Sequence, residues 1–305
     1  MPEEVAERRT SFLRRFGGSE TVTGWALVSP AAVLIGIFGL LPVLMSLQLS
    51  FQKSDLLTPE TPWVGLDNYR KLADDPVFAE AIKHTIVYTA LFVPGTMLVG
   101  LFVAAAMNRS LRFISVYRTA AYITMAVSTI SQGIIFLWLT DRDYGLVNAA
   151  LNTVGVSSQP FLASPSQALY VIVAMTIWGW TGFSVIVYLA ALQGVPVELH
   201  EAASIDGASA LTRFRTITVP LLGPANLFLL VWLTINALQL FDEVYVTTRG
   251  GPLRATTVIV YYLWDRAFVH FDAGYAAAMA YALFVVIVVI TAVQFRLARK
   301  HVHYS

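Results

Sequence analysis

Apolar residues in this chain come in six blocks, at roughly 25–50, 84–107, 114–139, 168–193, 223–247 and 273–296. Polar, charged or Pro- and Gly-containing segments separate them. A helix rises about 1.5 Å per residue, so a hydrocarbon core about 30 Å thick takes about 20 predominantly apolar residues to cross. All six blocks reach that length, and the pattern predicts an all-α polytopic membrane protein with six transmembrane helices. The second block contains Pro94-Gly95, which would break a soluble helix. Within a bundle the freed backbone groups can find partners on neighbouring helices, so the pair is expected to form a kink.

Composition agrees with the pattern. The 305 residues are 57% hydrophobic and 13% charged, with a mean hydropathy of +0.66, where a soluble domain carries about 25% charged residues. The absence of cysteine excludes a disulfide framework and thiolate metal sites without deciding the compartment. The first apolar block follows Arg8, Arg9, Arg14 and Arg15; it is too long for a signal-peptide core and has no obvious cleavage site. It is read as a retained anchor.

Charge changes the picture most through its asymmetry. With a cytoplasmic N-terminus, the inside segments hold Arg8, Arg9, Arg14, Arg15, Arg109, Arg112, Arg118, Arg213, Arg215, Arg296, Arg299 and Lys300. The outside segments, which are longer, hold Lys53, Arg70, Lys71, Lys83, Arg142, Arg249, Arg254 and Arg266. The excess of 12 over 8 predicts that both termini are cytoplasmic. The domain reading is a cytoplasmic segment 1–24, a transmembrane domain 25–300 with a cytoplasmic loop 195–222, and a cytoplasmic tail 301–305.

Channels and ion-coupled pumps advertise themselves by ionisable residues near the bilayer midplane. The six blocks have almost none: Arg118 and His84 fall close to block ends. Asp242 lies about 29 Å into the fifth, at its outer interface. The blocks carry uncharged polar and aromatic residues instead, of which Gln132, Trp178, Asn236 and Gln239, with Asp242, are the candidates for a solute path. Amides pair with sugar hydroxyls and aromatic faces cover the apolar side of a ring, which suits a neutral, hydroxyl-rich solute. The same residue types also serve as interhelical glue and interfacial anchors. Enzymatic readings fail. His200-Glu201 begins like a zinc-protease helix, but position 204 is Ser, and the chain has neither a nucleophile elbow nor a phosphate-binding loop. No metal or nucleic-acid site is expected.

One polar segment remains, ELHEAASIDGASALTRFRTITVPLL at 198–222. Pro196 suits the first turn of a helix, and Glu198 and Glu201 complement its positive end. Gly207 permits a sharp bend, and a second helical run, roughly 208–218, must end near Pro220. Helix, turn, helix is the expectation, and three readings fit it: a cap on the bundle, a helix lying on lipid, or a ball for a socket on a soluble partner. With two Arg and no Lys the segment is poorly basic for a lipid surface, and Ala202-Ala203 favour close docking.

The spacing of this segment resembles the EAA loop of ABC importer permeases. Glu201-Ala202-Ala203, Asp206-Gly207-Ala208, Ile217 and Pro220 stand at the family's positions, with Val219 where Leu is usual. The stretches 64–89, 145–156 and 241–252 are similar to the carbohydrate-uptake members, the binding-protein-dependent transport system inner membrane components. Arg249 departs from the usual Gly of an outer turn. The resemblance implies a type I importer fold in a bacterial inner membrane. It implies a partner set of a second homologous permease, a dimer of ABC ATPases and an extracytoplasmic solute-binding protein. ATP and Mg would sit on the ATPases, with no cofactor on this chain. The loop would dock on an ATPase, with Glu201 as polar anchor and Gly207 setting the bend. The solute would be a sugar or related polyol; glycerol-3-phosphate or a similar anionic ester is the alternative, and an ion-coupled carrier would leave the loop unexplained.

Overall fold

The asymmetry between apolar spans and polar connections organises the structure, a computed structural model that describes residues 20–55, 60–108 and 113–298. Arg8, Arg9, Arg14, Arg15, Arg109, Arg112, Arg299, Lys300 and the tail 301–305 lie outside the described residues. Helix α1 (Glu20–Ile35) passes through a π-helical stretch, Gly36–Leu40, into α2 (Leu41–Ser50). A short α3 (Asp67–Asp74) precedes α4 (Pro76–Met107), and α5 (Ile114–Ala126) and α6 (Thr129–Leu139) follow. After α7 (Leu146–Thr153) comes α8 (Ala168–Gln193), then the loop helices α9 (Val197–Ile205) and α10 (Ala210–Arg213). The chain ends with α11 (Gly223–Leu238), α12 (Asp242–Thr247), α13 (Ile259–Trp264) and α14 (Ala273–Ala298).

Four of the expected spans are single helices long and apolar enough to cross a bilayer, at Gly24–Ser50, Pro76–Met107, Ala168–Gln193 and Ala273–Ala298. The other two are bent. α5 and α6 meet at 100°, and the arm Ala210–Leu221 meets α11 at 65°. The third span is therefore not the straight helix expected over 114–139, and the fifth ends at Leu238, with Asp242 opening a separate helix instead of extending it to 247. The second helix begins at Pro76, well before residue 84, because Asp75-Pro76 forms a strong start: the Asp75 carboxylate accepts the amides of Val77 (2.8 Å) and Phe78 (3.3 Å). Pro94 lies inside α4, which runs past it without a break.

The core is a crossing of α4 and α8 with α11 laid against them. Tyr88, Phe92, Ile172, Met175, Val185, Tyr188, Leu229 and Leu233 are all essentially inaccessible. The crossing is tight because of small residues: a Cβ on Gly100 would stand 2.5 Å from that of Ser184. The span formed by α1, the π-helical stretch and α2 presents exposed apolar residues along its length, among them Trp25 (70% exposed) and Phe38 (75%). A lipid-facing or subunit-facing helix looks like that, and a soluble one does not.

At one end of the bundle the connections 51–75 and 239–272 are knitted together; the other end carries the loop 194–222. The knot at the first end is the Asp75 carboxylate. Besides the two amides it accepts the hydroxyls of Tyr262 (2.7 Å) and Tyr275 (2.6 Å), joining α4 to α13 and α14. Nearby Asp272 holds Lys71 (2.7 Å) and Arg266 (3.3 Å). Burial pushes the Asp75 carboxyl up, but the donors from Tyr275, Tyr262, Phe78 and Val77 outweigh it and hold the group below its ordinary 3.8.

A depressed folded-state value means that this stabilisation is fully present above the unfolded value of about 4 and is lost as pH falls through the folded one. Asp75→Asn should therefore lower stability at pH 7 by about 1–2 kcal/mol. In thermal unfolding of the detergent-solubilised protein, the gap to wild type should close below about pH 4. A gap that persists unchanged in acid would show that the carboxylate charge is not what holds this end.

Candidate coupling loop and translocation path

The segment 195–222 folds as helix, turn, helix. Gly207 closes α9 with φ +79°, a conformation that favours glycine, and the amides of Gly207 and Ala208 return to the carbonyls of Ser204 (3.1 Å) and Ala203 (2.9 Å). Ser209 caps α10 by accepting the Thr212 amide at 3.2 Å. The second arm does not stop before Pro220. A π-helical stretch, Phe214–Thr218, is followed by a last turn, Val219–Leu221, in which Pro220 stands at a first-turn position. Arg213 ties the arms together through the His200 carbonyl at 3.5 Å.

Val197, Glu201 and Ile205 recur at intervals of four along α9 and share one exposed face, with Ile205 at 87%. Ala202 and Asp206 are also exposed, whereas Ala203, Ala208 and Ile217 are half-buried and Pro220 is exposed. The loop thus offers an exposed helix face on which the Glu201 carboxylate lies between Val197 and Ile205.

Between the helices lies a cavity of about 170 Å³ lined by Tyr88, Phe92, Thr129, Trp180, Asn236, Gln239, Phe241, Asp242 and Glu243. The break after Leu238 creates it: the chain leaves α11, turns, and brings Gln239, Asp242 and Glu243 to the cavity that α11 reaches with Asn236. Of the candidate path residues, Asn236, Gln239 and Asp242 line this space. Gln132 and Trp178 are not among its walls. Gln132 is buried at the α5–α6 bend, where its amide donates to the Val127 carbonyl at 2.9 Å. Trp178 is 38% exposed and lies against Phe136 (ring centroids 5.8 Å).

Sequence reasoning passed over Tyr88, Phe92, Thr129, Trp180 and Glu243. For Trp180 the reason is angular: two residues along a helix rotate by about 200°, so Trp178 and Trp180 face opposite sides, and hydropathy cannot tell which side is inward. For Glu243 a signal existed, because two successive acids after an apolar run mark the end of a span. Rings and hydroxyl or amide groups together can hold a polyhydroxylated ring, and the Asp242 carboxylate, with no basic side chain in the lining, disfavours an anion.

Comparison with known proteins places the chain. The model of the family described as binding-protein-dependent transport system inner membrane component matches residues 96–302. The lactose transport system permease protein LacF of Rhizobium radiobacter is 35% identical over 302 residues, covering 97% of this chain and 99% of that protein. The sn-glycerol-3-phosphate transport system permease protein UgpA of Agrobacterium fabrum is 33% identical over 282 residues, 92% of this chain and 96% of the relative. A chain from a bacterial ABC transporter involved in the import of the acidic polysaccharide alginate has the same fold, with a TM-score of 0.83 at 24% identity over 97% of this chain and 100% of that one. The alginate transporter in complex with its alginate pentasaccharide-bound periplasmic protein gives 0.80 at 24% identity, over 90% and 93% of the two chains.

Gln132 offers a direct test of the bend. A Cβ on Gly179 would collide with its carboxamide oxygen. Gly179→Ala should displace Gln132, leave the Val127 carbonyl unpaired and lower the unfolding free energy by about 1–3 kcal/mol. Gly24→Ala, also inside a helix and with a Cβ that would meet nothing within 4 Å, should hold or raise stability by up to about 1 kcal/mol. Equal thermal midpoints for the two variants would refute the role given to Gln132.

Proposed function

We propose a solute and a mechanism for a chain that belongs to the binding-protein-dependent transport system inner membrane components. As a member of that family it is the permease subunit of an ATP-driven ABC importer and not an enzyme. The solute is a sugar or related polyol, delivered by an extracytoplasmic binding protein. A second, homologous permease completes the path, and two ATPase chains, which carry ATP and Mg, power it. Both termini and the loop 195–222 face the cytoplasm of a bacterial inner membrane, in line with the bias of Lys and Arg.

The observation that carries this reading is the exposed face of α9, with Glu201 between Val197 and Ile205, presented on a helix whose turn and clasp are fixed from within. The role of α9 is to insert into a cleft on an ATPase. Glu201 is its polar anchor; Ala202, Ala203 and Ala208 keep the approach close; Asp206-Gly207 sets the bend; Ile217 and Pro220 belong to the second arm. That arm meets α11 at 65°, and the far end of α11 carries Asn236 to the cavity. A displacement of α9 on closure of the ATPases is therefore handed through one connected lever to the walls of the solute space, a two-state element biased by nucleotide and by loaded binding protein. In the cavity Asn236 and Gln239 offer both donors and acceptors to hydroxyls, Asp242 accepts, and Trp180 and Phe92 cover the apolar face of a ring. Import of an anionic polyol ester, as the name of the UgpA relative suggests, has against it the Asp242 carboxylate and no cation in that lining.

Glu201→Lys should leave the thermal midpoint nearly unchanged, since a carboxylate in the early part of a helix is worth only about 0.3–1 kcal/mol. It should reduce association with the ATPase and solute-dependent ATP hydrolysis in proteoliposomes by at least about tenfold, the effect expected from breaking a desolvated interfacial charge contact. Intact transport with a normal ATPase complex in this variant would remove the anchor role.

A further inference from the structure

The end of the molecule opposite the coupling loop contains a second cavity, of about 360 Å³, that the transport mechanism leaves unused. Its wall includes three guanidinium groups, Arg249, Arg254 and Arg266, with Asp265 as the single carboxylate. Asp265 is engaged by His270 at 3.2 Å, and Arg266 by Asp272 at 3.3 Å. Arg249 and Arg254 have no ion-pair partner among the described residues.

These two arginines sit on one rigid turn. Thr248 and Thr256 bond to each other at 2.7 Å, and Thr256 and Thr257 hold the carbonyls of Gly251 (2.8 Å) and Gly250 (3.1 Å). On that frame Arg249 and Arg254 adopt φ of +49° and +66°, where glycine would be relaxed. Between them Leu253 (φ +50°) is 89% exposed. An apolar tip flanked by two unpaired cations, all three in a left-handed backbone, gains nothing for the fold of this chain. Unusual backbone of this kind persists where it serves a site.

We infer that the turn 248–257 docks the extracytoplasmic solute-binding protein, with Leu253 entering an apolar niche and Arg249 and Arg254 pairing with carboxylates on its surface. This rests on the import reading given above. Charge complementarity selects the occupant. An anionic solute bound here would next meet Asp242, beyond the aromatic wall of Phe241 and Tyr261 (ring centroids 6.4 Å), with no cation in that lining, so the sign of the charge reverses along its route. A carboxylate that stays on a docked protein meets no such barrier. Paired guanidiniums on a fixed frame recognise carboxylates in two-pronged geometry and speed encounter at low salt.

The test uses the assembled importer in lipid nanodiscs and, as probe, the binding protein that stimulates its ATP hydrolysis. The variant is Arg249→Gly with Arg254→Gly. Glycine suits both backbone conformations, so the thermal midpoint should hold or rise. Affinity for the binding protein should fall more than tenfold, and the loss of affinity between low and high salt should flatten; Leu253→Ala should weaken binding with the salt dependence kept. Unchanged affinity and salt dependence in the double glycine variant would overturn the docking role, as would retained affinity with loss of uptake confined to anionic solutes. A wild-type importer that no binding protein stimulates would overturn the import reading itself. That result is distinct, because it appears before any variant is made.

Discussion

The tight crossing of α4 and α8 at Gly100 and Ser184 is the contact on which the other helices depend. In lipid there is no hydrophobic force to bring apolar helices together, and association comes from close van der Waals fit and a few polar contacts. Gly100 permits that fit: a Cβ there would lie 2.5 Å from the Cβ of Ser184. The same approach aligns Tyr88 and Phe92 on one helix with Trp180 on the other, the Phe92 and Trp180 rings meeting edge to face at 6.4 Å. The aromatic wall of the cavity is thus a by-product of the packing that holds the bundle. α11 completes the wall from the third side, pinned by the Tyr188 hydroxyl on Asn226 (2.8 Å) and by Gln294 on Thr234 (3.0 Å).

Every interruption of a helix in a membrane leaves backbone groups that something must satisfy. At the α5–α6 bend Ser128 accepts the Ser131 amide at 3.3 Å, while Gln132 covers the Val127 carbonyl at 2.9 Å. At the end of α9 the Gly207 turn does the same with backbone alone, and at the start of α4 the Asp75 carboxylate does it with two amides. These repairs fall where the proposed function needs irregular chain. The break after Leu238 delivers the acids to the cavity, the break at Gly207 makes the docking helix, and the bent third span places Thr129 at the cavity. Regular helix supplies the frame, and the repaired breaks supply the chemistry.

This division also explains what could be read from the residues in order. Six apolar blocks were legible because length and hydropathy are properties of a window. The helix–turn–helix of the loop 198–222 was legible because its acids, alanines, Gly and Pro stand at spacings that such a fold requires. The 100° bend at Val127-Ser128 was not, since neither residue is a breaker and the only cue is a serine able to cap. Pro94-Gly95 was legible as lying inside a span and not at its end, and α4 does run through it. Which polar side chains face the cavity depends on helix rotation, so Asn236, Gln239 and Asp242 reach it while Gln132 is spent on the bend and Trp178 on Phe136.

The strength of the polar pins bears on how such a bundle can move. Interhelical hydrogen bonds in membranes average only about 0.6 kcal/mol, because separated helices find other partners. The two pins that Tyr188 and Gln294 make on α11 can therefore be exchanged at small cost, whereas the α4–α8 crossing cannot open without losing close contact along its length. Motion imposed at α9 would consequently shift the arm 210–221 and α11 against a fixed α4–α8 pair. Only one wall of the cavity, the one carrying Asn236, Gln239, Asp242 and Glu243, would move relative to Tyr88, Phe92 and Trp180. A hydroxyl-rich solute held between amides on one side and rings on the other loses its polar contacts first in such a displacement. That is the order required to release a solute without ever binding it tightly.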